Sequence, residues 1–112
     1  MMMHEFVMLP KDSISPNISY STINQTSFTT IPDELVLTNI NTFFVGYSTY
    51  WDTFDCANEG LNYHGITIIP PSELPHFLRR LNQLQAECGI NDLIVLCNSA
   101  ISSNKYIVHF GI

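Results

Sequence analysis

The clearest periodicity along the chain is helical. Leu74, Phe77, Leu78, Leu81, Leu84 and Cys88 recur at helical spacing and line one face of an amphipathic helix, with Arg79, Arg80, Gln83 and Glu87 on its wet side. Pro70-Pro71 stops the preceding segment, and Ser72 is an N-cap candidate. Pro75 falls in the first turn, where its missing N–H has no helical partner, and Gly89 suits the left-handed position past the end. Over 92–103 two readings compete. Leu93, Leu96, Cys97, Ala100 and Ile101 form a helical face, capped by Asn91 or Asp92 and ended by a left-handed Asn104. Ile94 and Val95, with three poorly helix-forming serines beyond them, instead favour a strand over Leu93 to Cys97. The helix is preferred.

Elsewhere the apolar runs are short and read as strands. His4 to Leu9 is a first strand. Ile18 to Ile23 and Ser27 to Ile31 read as a hairpin ended by Pro32-Asp33, and Leu35 to Leu37 is apolar but of undetermined type. Thr42 to Tyr47 reads as a buried strand weakened at Gly46, and Gly65 to Ile69 as another. From Lys105 to Gly111, Tyr106, Val108 and Phe110 alternate with Ile107 and His109, and both sets are largely apolar, as in an inner strand. Between them, Asp52 as N-cap, Asp55 in the capping-box position, Phe54, Ala57 and Leu61 at helical spacing and Gly60 as C′ predict one or two helical turns. Pro10 to Ser13 and Ser15 to Asn17 have turn chemistry. The order predicts an α+β fold. A single twisted, mostly antiparallel sheet would carry two or three helices packed on one face. With 112 residues, positions 1–112 are expected to form one domain.

Composition narrows the functional classes. Hydrophobic residues make up 46% and charged residues 12%, which excludes a disordered acidic tail. The net charge is −6. From Asp12 to Leu78 there is no Lys or Arg, while Asp12, Asp33, Glu34, Asp52, Asp55, Glu59 and Glu73 fall there. Such a tract steers cationic partners and repels phosphate backbones, so neither nucleic acid nor an anionic membrane is the expected partner. Three cysteines without a CxxC pair and a start lacking a basic, apolar leader predict a reducing, cytoplasmic setting.

No catalytic motif is present. Cys56, His64, His76 and His109 include no close metal-ligand pair, and no glycine-rich phosphate loop occurs, so neither metal nor cofactor is expected. The helix-capping assignment already accounts for Asp52 and Asp55 as an acid pair. What remains is an aromatic and acidic stretch without a base: Tyr47, Tyr50, Trp51, Asp52, Asp55, Glu59, Tyr63 and His64, joined by Asp33 and Glu34. Aromatics anchor protein interfaces and carboxylates pair with a partner's Arg or Lys. Equally, Trp51 and Phe54 could cover the core while the acids are merely solvated.

The run Tyr50-Trp51-Asp52-Thr53-Phe54-Asp55-Cys56-Ala57-Asn58-Glu59-Gly60-Leu61-Asn62-Tyr63-His64-Gly65-Ile66-Thr67-Ile68-Ile69-Pro70-Pro71, with Asn104-Lys105-Tyr106-Ile107-Val108-His109-Phe110-Gly111, resembles small bacterial immunity proteins of contact-dependent growth inhibition, the antitoxins of polymorphic toxins. The resemblance covers about residues 42–112. It implies a non-enzymatic inhibitor that binds a cognate toxin C-terminal domain 1:1 and covers its active site or a neighbouring surface. Such toxins are often nucleases with basic sites, ribonucleases among them. The alternatives are a small enzyme using Cys56 or a carboxylate pair, and a homo-oligomeric structural protein.

Overall fold

A computed structural model describes residues 2–14, 28–40, 48–84, 87 and 89–112. Its strands are β1 (Met3–Leu9), β2 (Thr29–Pro32), β3 (Ser48–Trp51), β4 (Ala57–Glu59), β5 (Ile66–Ile69) and β6 (Tyr106–Phe110). They form one open six-stranded sheet in the order β2-β1-β6-β5-β3-β4, antiparallel at every neighbouring pair. The helices are α1 (Lys11–Ile14), α2 (Asp33–Leu35, running into a π-helical turn at Val36–Ile40), α3 (Leu74–Leu81, between 3-10 turns at Pro71–Glu73 and Asn82–Leu84) and α4 (Ile90–Ser103). The fold is α+β with a single antiparallel sheet, as the order of elements predicts. β6 is an inner strand, with β1 on one side and β5 on the other.

Both faces of the sheet are covered. On one, Phe6, Ile31, Ile69 and Ile107 meet Val36 and Ile40, Leu74, Phe77 and Leu81 of α3, and Leu93, Cys97 and Ala100 of α4. The Phe6 and Phe77 rings lie 6.4 Å apart, and both side chains are at most 1% exposed. Burying a side chain of this size stabilises by roughly 1.5–3 kcal/mol. On the other face, Val7, Leu9, Ile68, Val108 and Phe110 pack with Ile14 of α1 and with Phe28, Tyr50, Phe54 and Tyr106.

The local patterns hold best in α3, α4, β1, β5 and β6. The expected stripe buries Leu74, Phe77 and Leu81, but the α-helix ends at Leu81 in a 3-10 turn over Asn82–Leu84, short of the expected close at Gly89. Residues 92–103 are helical, and Asn104 ends them at φ 55° in the left-handed region. Several caps differ. No side chain of Ser72 caps α3, whose first turn follows a 3-10 turn opened by Pro70 and Pro71. Gly89, at φ 81°, precedes α4 as its N-cap, in place of Asn91 or Asp92. A Cβ there would stand 2.7 Å from the Thr30 carbonyl, so the position takes glycine for a close approach as well. Pro10 to Ser13 leads into the short helix α1 rather than a simple turn.

The larger correction concerns residues 50–60. No helical turn forms there; β3 and β4 make a hairpin, pairing Ser48 with Glu59 and Tyr50 with Ala57. Asp52 is not an N-cap. It sits at φ 66° in the turn, and its Oδ1 accepts from the Ile66 N–H at 3.1 Å. A long-range bond to β5 outcompetes the local capping alternative. The strand expected at Thr42 to Tyr47 and the Ile18 to Ile23 half of the first hairpin lie outside the described residues; the described partner of β2 is β1.

Because β4 and β5 both run antiparallel to β3, residues 60–65 must carry the chain back along β3 to the other end of the sheet. This connection is firmly held. Leu61 joins the helix-side core, Thr49 Oγ1 and Trp51 Nε1 donate to the Gly60 carbonyl, and the Asn62 N–H donates to Thr67 Oγ1 at 2.8 Å. Gly111 and Ile112 tie its far end down, donating to the Gly65 and Tyr63 carbonyls. A Cβ on Gly111 would run into the Tyr63 backbone carbonyl.

Candidate functional site

Strand alternation puts His4 and Phe6 of β1, Thr67 of β5 and Ile107 and His109 of β6 on the helix side. His4, Thr67 and His109 are each 0% exposed. A polar row therefore crosses an apolar core, and it is hydrogen-bonded throughout. Thr67 Oγ1 lies 3.1 Å from His109 Nδ1, His109 Nε2 lies 2.8 Å from His4 Nδ1, and His4 Nε2 lies 2.8 Å from Asp33 Oδ1. The Tyr63 hydroxyl donates to the same Asp33 oxygen. The two imidazole planes are inclined by only 14°, and the rings meet edge to edge through their nitrogens.

With both rings neutral, a single arrangement places one hydrogen in every gap. A carboxylate only accepts, so His4 donates from Nε2 and accepts on Nδ1. His109 then donates from Nε2 and accepts on Nδ1 from the Thr67 hydroxyl, which itself accepts from Asn62. Every donor in the row points toward Asp33. Burial, then the neighbouring His4, pushes His109 down to about 3. The hydrogen bonds from Tyr63 and then His4 hold Asp33 below its ordinary range. The Asp33 hydrogen bond, with burial behind it, pushes Tyr63 up to about 12. Asp33 thus stays ionised and Tyr63 stays a proton donor near neutrality. The Asp33 side chain, 22% exposed, is the end of the row that reaches solvent.

The ten residues expected to bind a partner do not form one patch. Asp33 and Tyr63 are joined directly. Asp52 lies on the other flank of the same connection, where Asn62 Nδ2 donates to it at 3.4 Å, and His64 Nδ1 donates to the Ile112 carbonyl at 3.2 Å. Trp51 is half-buried, its indole N–H held by Gly60. Glu34 and Asp55 are exposed. Glu59 is exposed at the opposite end of the hairpin, across from Ser48. Tyr50 belongs to the other face, edge-on to Phe54. Tyr47 lies outside the described residues. The base-free tract is not free of bases in space: Lys11 Nζ sits 5.7 Å over the Phe54 ring, next in sequence to Asp55.

His4 and Thr67 had no sequence motif to mark them, and His109 stood out only as a scattered metal candidate. Their signal was parity: each occupies the core-facing position of an otherwise apolar strand. Cys56 is exposed, whereas Cys97 is buried and its thiol is pushed up to about 12. Among the described residues, no group of three or more His, Cys, Asp or Glu could hold a metal ion, and no helix is long and apolar enough to cross a membrane.

The row has the composition of a hydrolase relay: a carboxylate, two imidazoles and a hydroxyl. Thr67 Oγ1, however, is enclosed at the inner end and already accepts from a backbone amide, so a substrate cannot reach it in this conformation. The arrangement can hold, orient and pass a proton. No protein-family model matches the chain, and comparison with curated proteins and with solved structures found no match.

Proposed function

We propose that this chain is a non-enzymatic immunity protein that neutralises a cognate toxin C-terminal domain, a basic nuclease of the ribonuclease kind, by covering its active site or an adjacent surface. The proposal places it in the cytoplasm, where the toxin acts. The observation that carries the reading is the exposure of the acids. Glu34, Asp52, Asp55 and Glu59 all face solvent, while the cluster with catalytic composition is closed off inside. Asp33 is held by Tyr63, and Asp52 separately by Asn62 and Ile66, so little ordering of these acids remains to be lost on binding. A partner with Arg and Lys around a phosphate site complements it.

The reading requires a toxin gene beside this chain's own, and the experiment is binding and rescue with the C-terminal domain of that toxin. Glu34 and Asp55 are the residues to reverse, because Asp52 and Asp33 hold the fold. Glu34→Lys with Asp55→Lys should slow association roughly tenfold or more at low salt and leave the fold intact. Tight binding by the wild type with no salt dependence would remove the electrostatic part of the reading. Absence of binding and of protection would remove the immunity function.

A further inference from the structure

We propose that Thr67, His109, His4 and Asp33 form a one-proton switch: a single added proton, held on His4, reverses the donor direction from His4 through His109 to Thr67. This is a property of the free chain and does not depend on the proposed partner.

The geometry restricts where the proton can rest. His4 Nε2 faces the Asp33 carboxylate at 2.8 Å, so a charge on this ring is paired. Among the described residues no carboxylate is hydrogen-bonded to His109. Its ring lies between His4 and Thr67, with the Phe6 ring 5.0 Å away. Burial, and then the neighbouring His4, oppose its charging. Both rings cannot carry charge together, since their nitrogens are 2.8 Å apart.

The hydrogens balance as follows. In the neutral row one hydrogen lies between the rings, on His109 Nε2. After uptake of one proton from solvent, the hydrogen between the rings belongs to His4 Nδ1, and His4 keeps its Nε2 hydrogen toward Asp33. His109 stays neutral, now carrying its one hydrogen on Nδ1, from which it donates to Thr67. Thr67 Oγ1 has two lone pairs and accepts from Asn62 and His109 together, while its own hydrogen turns out of the gap to His109.

Among the described residues, other groups neighbour the row. Tyr63 and, beyond it, His64 come from the 60–65 connection, and Glu34 follows Asp33 on α2. From the helix layer, α3 presents Phe77 toward Phe6, and α4 contributes the buried Cys97, whose thiol stays protonated over the whole range. The switch lowers the negative charge at the Asp33 end by one unit while Tyr63 keeps its bond.

Nitrogen-15 NMR of the imidazole side chains in the wild-type chain, followed from mildly alkaline to acid pH, tests this without a variant. The expected starting state has both His4 and His109 as Nε2–H tautomers. Where His4 becomes doubly protonated, His109 should convert at the same midpoint to the Nδ1–H tautomer. His109 should never become doubly protonated in the folded chain. The proposal is overturned if His109 keeps its tautomer while His4 titrates, if both rings charge, or if the chain unfolds before any such step.

Discussion

On the helix side of the sheet, Phe6, Ile69 and Ile107 share the interior with His4, Thr67 and His109. On the other side, Val7, Ile68 and Val108 pack with Ile14, Phe28, Tyr50 and Phe54. The two sides are similarly dry and differently specified. Apolar side chains tolerate small shifts against one another, whereas the polar row closes only when Phe6 and Thr67 both stand opposite His109. A slip of one residue would turn His109 to the other face, leaving His4 Nδ1 unpaired and the Thr67 hydroxyl without its acceptor. The apolar side supplies burial; the polar row selects the register of β1, β6 and β5.

The largest effect expected is on the helix side. Phe77→Ala should cost about 3–5 kcal/mol in denaturant unfolding, because it empties the contact between α3 and β1. Next is His109→Leu, a replacement of similar size. It leaves His4 Nδ1 unpaired and the Thr67 hydroxyl hydrogen without its acceptor in the core, and should cost about 2–4 kcal/mol. Adding His4→Leu should cost less than the sum of the two single variants, since the second change removes a group the first left stranded. Strict additivity would show that the two imidazoles do not act as one unit.

A smaller effect comes from pH. The folded His109 is held near 3 against an ordinary value of 6.5, so between these values the unfolded chain binds more protons at this position. Its contribution is therefore full above about pH 6.5 and is lost as the pH falls toward about 3, at about 1.4 kcal/mol per unit. Unfolding at pH 5 should come about 2 kcal/mol easier than at 6.5. Asp33, held low, acts with the same sign at more acid pH. In His109→Leu this part of the slope should vanish, as a pH series of denaturant midpoints would show. The least disruptive check is alkylation. Under native conditions Cys56 should react readily and Cys97 only on unfolding; equal rates would mean that the helix side opens easily.

Much of the fold was legible because it is written locally. The α3 stripe, the apolar run of β5, the alternation of β6 and the left-handed Asn104 each need only neighbours in sequence. The β3–β4 hairpin was not. Asp52 suits an N-cap and a turn equally, and the groups that decide, the Ile66 N–H and Asn62, lie 14 and 10 residues away. The candidate site divides in the same way. Asp33 and Tyr63 stood out as an acid and an aromatic in a base-free tract, but the bond between them spans 30 residues. His4 and His109 are 105 apart, and no local pattern pairs them.

The connection over 60–65 carries one more consequence. Its Asn62 amide belongs to a segment without regular structure, yet its acceptor is a hydroxyl sealed inside the molecule. In deuterium exchange this amide should therefore keep its hydrogen as long as the inner strands keep theirs, and lose it only when β5 itself comes away from β6.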